Sequence, residues 1–383
     1  MITIEEIRSL DRFLVFQPIW DSICQAEETD SPFLSHSWFR CCIESFGRGK
    51  TLSVLVFKDG NDILGFAPFW RYPEKMRGMM LRNIGFINGP DTASADFVLR
   101  MDRRQEILEA LIDFLFGIHW NHWDVLSLGQ WPEESANYSS FLGILDRRQR
   151  KYMNELSSLV PYIPIRGDWD AYLQGKSARF RKTRRNIVNR VEKLQAVEIR
   201  CHRRDPDGAV FREILDVSRR SWKEKEGIAI TSREDVTRFF ELLGDVSESR
   251  GWLRAWVLKT NGTPIAMEYD LEHKGKIYAL RADFDETHKE CSPGAYLEFR
   301  IIQSLFDEGC LEYNSGPGLN TYKLQWTEEY KKNRILKVFN RNPKTAMVFT
   351  VETRLVPFVR RLKRLIRSDS GSNPETPPPS ENQ

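Results

Sequence analysis

The spacing of apolar and polar residues divides the chain into two stretches that repeat one order of elements. In the first stretch, Trp38, Cys42 and Phe46 form an apolar stripe that stops at Gly47, which predicts a helix released by glycine. Two strand-like runs follow, TLSVLVF and ILGFAPFW, joined by KDGND, whose Asp-Gly step predicts a hairpin turn. Ile107, Leu108, Leu111, Ile112, Leu115 and Phe116 then keep helical spacing, and WDVLSLG alternates as a strand. The expected order is helix, hairpin, helix, strand.

The second stretch runs the same way. Ser232 is expected to cap a helix carrying Val236, Phe239, Phe240 and Leu243, and WLRAWVLKTNGTPIAMEYDL predicts a hairpin turning at Asn261-Gly262. Val56, Lys58, Ile63 and Leu64 in the first hairpin correspond to Val257, Lys259, Pro264 and Ile265 in the second, each set followed by a small residue, Gly65 or Ala266. A third strand, KIYALRADF, leads to a helix through Leu297, Ile301, Leu305 and Phe306, closed by Gly309, and then to the short strand LEYN. This order is that of an internal duplication.

Between the halves, Phe180, Ile187, Val191 and Leu194 mark the apolar face of a helix. Its other face carries Lys176, Arg179, Arg181, Lys182, Arg184, Arg185, Arg190 and Lys193 against Glu192, a set able to hold a phosphate-bearing ligand or simply a solvated face. The expected boundaries are an N-terminal domain over 1–165, a C-terminal domain over 166–342 that includes the basic helix 176–194, a basic helix over 343–367 and a disordered tail over 368–383.

Composition narrows the field. With 57 Lys plus Arg against 54 Asp plus Glu, the net charge of +3 over 383 residues is too small for bulk nucleic-acid binding, so no DNA partner is expected and any basic function is local. The six cysteines lack the paired spacing of a zinc site or redox dithiol. The N-terminus, MITIEEIRSLDRF, is acidic where a signal peptide is basic and then apolar, and no window approaches ~18 consecutive apolar residues. A cytoplasmic protein is expected. FVRRLKRLIR, after Pro357, alternates apolar and basic residues and is a candidate for peripheral contact with the inner face of a membrane.

Three motifs in this order, SxxFRKxxRRN, CSPGAYL and GPGLNTYKLQW, resemble the acetyltransferase-like domain of the CelD/BioF2-like proteins, relatives of the GNAT superfamily and of the FemAB aminoacyltransferases; the likeness spans most of residues 30 to 340. It implies an α/β (α+β) fold of tandem GNAT-like domains, each a mixed, mostly antiparallel sheet flanked by helices. It also implies an N-acyltransferase with no tightly bound cofactor, whose acyl donor is acyl-CoA or an acyl-carrier thioester and whose acceptor is an amine, in polysaccharide or cell-envelope metabolism. The residues themselves support part of this. Ser292 reads as an N-cap, Pro293 suits the first helical position, and Gly294 and Ala295 leave backbone amides open to an anion at the helix start. With Lys323, Arg181 and Arg185 they form the expected donor-binding set.

By the same resemblance, Tyr322, Lys323 and Trp326 border the cleft, and Glu312, Asp285 and Glu268 join Tyr322 as candidates for proton transfer to or from the reacting groups. No Q/R-x-x-G-x-G/A run precedes a helix, so an aminoacyl-tRNA donor, as in the FemAB relatives, stays open beside the thioester, as does a non-catalytic scaffold in exopolysaccharide assembly. No metal site is expected. His119 and His122 lack a Glu or Cys partner, and Cys291, although beside a helix start, has only His288 near it in sequence.

Overall fold

The computed structural model describes residues 1–356 other than 28, 30 and 118. The tail from 368 and the basic stretch after Pro357 lie outside the described residues. Just before them, Pro343–Thr350 forms a helix that continues as one wide turn, Val351–Leu355.

Among the described residues, thirteen strands, in chain order, form one sheet: β1 Thr3–Ile7, β2 Thr51–Asp59, β3 Asp62–Met76, β4 Met79–Phe86, β5 Val98–Leu99, β6 Val125–Pro132, β7 Tyr152–Pro164, β8 Glu198–His202, β9 Leu253–Thr260, β10 Thr263–His273, β11 Lys276–Phe284, β12 Glu312–Asn314 and β13 Tyr330–Phe339. Their spatial order is β1-β2-β3-β4-β6-β13-β7-β12-β11-β10-β9-β8, with β5 paired to β3. Matching each half's elements in sequence makes this order symmetric about the β13/β7 pair. β4 runs parallel to β6 as β11 runs parallel to β12, and the other pairs are antiparallel.

The duplication reaches single residues. The β2–β3 hairpin is bulged at Leu64, between the Lys58↔Ile63 and Phe57↔Gly65 pairs. The β9–β10 hairpin is bulged at Ile265, between Lys259↔Pro264 and Leu258↔Ala266. These are the positions equated by sequence, and a bulge needs its extra residue at one fixed place in the ladder.

The last strand of each half is exchanged. β7, from the first half, bonds to β12 of the second, and β13, from the second half, bonds to β6 of the first. The core is shared as well. Phe239 meets Trp38 at 5.1 Å and Phe46 at 5.3 Å, and Tyr278 meets Phe33 at 5.3 Å between ring centroids. The fold is thus a tandem of two like halves built on a large, mostly antiparallel sheet flanked by helices, as expected.

One local expectation changes. Ser232 does not cap the helix Glu234–Ser249; Arg233 occupies that place, and the Ser232 hydroxyl donates to Glu224 and accepts from the Ala229 amide. The serine closes the preceding tight turn instead.

Candidate active site

The two halves differ where β11 parts from β12. Their parallel ladder ends at Tyr278↔Asn314; β12 stops there, whereas β11 runs on to Phe284 paired only with β10 on its other side. The edge from Ala279 to Arg281 is partly exposed, and Ala282 is exposed, its carbonyl accepting from Lys223 at 2.6 Å. In the first half the counterpart of β11 is broken into β4 and β5 by an excursion over 87–97, and the Ala95 amide from that excursion donates to the Gln130 carbonyl of β6. The first half's gap is therefore filled by its own chain. Gly65 permits this crossing, because a side chain there would meet the Val98 carbonyl at 2.5 Å and Leu99 Cα at 2.8 Å. The second half carries Ala266 at that place and keeps its gap open.

Beyond the free edge lies the start of the helix Pro293–Asp307. Ser292 was expected to cap it, but Ser292 is left-handed (φ 57°, ψ 55°) and its side chain makes no cap bond; its hydroxyl accepts from Arg190 at 3.3 Å. The first-turn amides are thus left without a side-chain acceptor, and Gly294 and Ala295 remain partly exposed. Asp285 is fully engaged: it pairs with Arg220 and accepts from the Thr287 amide at 2.9 Å and hydroxyl at 2.7 Å. These donors outweigh its burial and hold its pKa below the ordinary value, so it is an anchored anion and a weak base. Cys291 donates to the His288 carbonyl, and burial pushes its thiol up, away from thiolate character.

Beneath the helix is a cluster of buried acids. Glu268 on β10 accepts from the Tyr313 hydroxyl at 2.6 Å. Burial first, and Glu298 second, push its carboxyl up to about 7. Asp270, two residues along the same face, is fully buried with no donor to either oxygen among the described residues, and burial and Glu268 raise its pKa. Glu298 accepts from the Trp326 indole at 2.9 Å.

Lys323 donates to the carbonyls of Gly316 and Pro317 at 3.1 and 3.2 Å, and burial lowers it to about 8. It shapes the glycine-rich loop rather than offering a free charge. Tyr322 is 46% exposed, and its phenol is pushed up by burial and by Glu298 and Glu268. Trp326 is buried.

Glu312 faces away from this cluster. Its neighbour Tyr313 points under the helix, so Glu312 points to the opposite face, where Lys331 donates to both its oxygens at 2.6 and 2.8 Å. On the basic helix, Arg181 donates to the carbonyls of Gln174 and Lys176 and so secures the preceding turn, while Arg185 is exposed. Arg184 is buried over the rings of Phe180 and Trp326, at 4.9 and 4.7 Å.

Sequence reasoning set Arg184 on the basic outer face and missed Glu298, Tyr313 and Asp270. The first two carried a signal: Arg184 sits in register with Phe180, Ile187 and Val191, and Glu298 with Ile301 and Ile302, so each is a charge inside an apolar stripe.

Residues 178–324 match the family model described as an acetyltransferase (GNAT) domain. No curated protein matches the chain. Among solved structures, the crystal structure of FemX shares the fold, with a TM-score of 0.57 at 12% identity over 90% of this chain and 100% of that one. A conserved protein of unknown function from Bacteroides thetaiotaomicron VPI-5482 gives a TM-score of 0.53 at 12% identity, over 88% of this chain and 100% of the other.

Proposed function

We propose that the protein is an N-acyltransferase that uses an acyl thioester, acyl-CoA or an acylated carrier, to acylate an amine. The observation that carries this reading is the unpaired edge of β11 past Tyr278, ending at a helix start whose amides have no side-chain cap. The edge can take an extended amide-bearing arm as a partial strand, and the Gly294 and Ala295 amides, with Arg190 beside them, suit a phosphate. The amine nitrogen attacks the thioester carbonyl, the carbon–sulfur bond breaks, and the thiolate takes up a proton. Glu268 receives the proton lost by the amine, relayed through the Tyr313 hydroxyl that donates to it. The Tyr322 hydroxyl, at a side chain 46% exposed, supplies the proton to the departing sulfur. Within the GNAT superfamily we place the protein nearest the CelD/BioF2-like branch, acting in cell-envelope or polysaccharide metabolism, on the strength of the three sequence motifs.

One observation favours a second donor. Arg179, Lys182, Arg185 and Lys193 are exposed without a carboxylate partner among the described residues, a row of cations that would also hold the backbone of an aminoacyl-tRNA. Calorimetry separates the two. The thioester reading expects coenzyme A or a carrier thioester to bind and Gly294→Glu to weaken it at least tenfold; no binding of either donor would overturn it. Salt-sensitive retention of tRNA on a filter, with no thioester binding, would establish the second.

A further inference from the structure

The gap in the sheet has two sides, and the side away from the 293–307 helix opens on a cavity of about 610 Å³ between the halves. That volume holds a small molecule rather than a polymer. Its first-half wall is the excursion that fills the first half's own gap, carrying Ala93, Ser94, Asp96 and Phe97. Its second-half wall includes Tyr278 and Asn314, the last rung before β11 and β12 part.

Asp96 sets the chemistry of this cavity. It is 8% exposed, and three neutral donors hold it: the Phe97 amide at 2.6 Å, the Ser135 hydroxyl at 2.5 Å and the Asn137 amide at 3.0 Å. No Lys, Arg or His pairs with it among the described residues. The other buried carboxylate of the wall, Glu312, is neutralised by Lys331. A carboxylate taken from water without a counter-charge is costly, and three donors leave part of its accepting capacity unused. A protonated amine supplies both the missing charge and a strong donor. Phe33 and Phe97 offer apolar wall, while Asn314 offers a side-chain amide to a polar ligand; the Asn333 Nδ2 is already given to Ala93, Gln130 and Ser158.

We propose that this cavity binds a small, polar, amine-bearing molecule and that Asp96 recognises its nitrogen. Its role as the acyl acceptor rests on the acyltransferase reading; its binding does not. An acceptor seated there approaches the gap from the face opposite the donor's helix start.

The test is calorimetry on the full chain with no donor present, using ethanolamine, 1,4-diaminobutane and glucosamine against their hydroxyl counterparts ethylene glycol, 1,4-butanediol and glucose. At least one amine is expected to bind about tenfold tighter than its counterpart, and Asp96→Asn is expected to erase that difference. Ser94→Trp, which fills the cavity from its wall and leaves Asp96 in place, is expected to abolish binding of both kinds. Amines that bind no better than their counterparts, or a preference that survives in a folded Asp96→Asn or Ser94→Trp variant, would overturn the proposal. Since donor binding is read separately, loss of the thioester reading would leave this result standing.

Discussion

Glu268 links stability to chemistry through one proton. Its carboxyl is pushed up to about 7, from an ordinary value of 4.5, so the folded protein keeps a proton across that window which the unfolded chain has already lost. Stability from this group is fully present at low pH, falls as pH rises through the window and is lost above it. Glu268→Gln keeps an acceptor for Tyr313 and removes the ionisation. The variant's melting temperature should therefore fall less than the wild type's between pH 5 and pH 8; equal falls would mean that Glu268 titrates normally. Lys323 shows the limit of reading such residues from sequence. A lysine in a glycine-rich loop reads as a charge for a ligand, but here it is buried and donates to two of the loop's carbonyls. Lys323→Met should cost about 2–4 kcal/mol in urea unfolding by orphaning two buried acceptors.

The basic helix Ala178–Val191 shows what periodicity conveys about an element and what it omits. The stripe of Phe180, Ile187 and Val191 was legible because its spacing follows from helical geometry alone, and all three are buried. The opposite face was read as uniformly basic, yet its cations divide by environment. Arg184 lies inside, 4% exposed, among aromatic rings and near Glu298, while Lys182 and Arg185 meet solvent. On this one helix, Arg184→Ala should cost about 3 kcal/mol because it strips the buried Glu298 of the cation that most favours its charged form. Lys182→Glu with Arg185→Glu should change stability by less than about 1 kcal/mol. Denaturant midpoints decide this, and equal costs would contradict the division. The helix start at Pro293 was likewise legible as a start, but not its cap, because the left-handed turn at Ser292 depends on how the preceding turn meets β11.

The exchange of β7 and β13 makes the two halves one cooperative unit. A chain ending at residue 329 loses β13 and leaves β6 and β7 with bare edges in the middle of the sheet. It should aggregate or melt as a whole, seen as loss of the monomer peak in size-exclusion chromatography; a soluble, folded second half would refute this coupling. Salt links bind the halves further, Arg281 reaching Asp91 at 2.7 Å and Arg250 reaching Asp21 at 2.6 Å. The amino-acid order alone determined the hairpins, the main helices and the repeat, because turn chemistry and apolar periodicity act over a few residues. Only the tertiary structure decided which gap is open, which strands trade places, which charges are buried and where Asp96 faces, because each depends on contacts between segments far apart in the chain, and no local spacing encodes them.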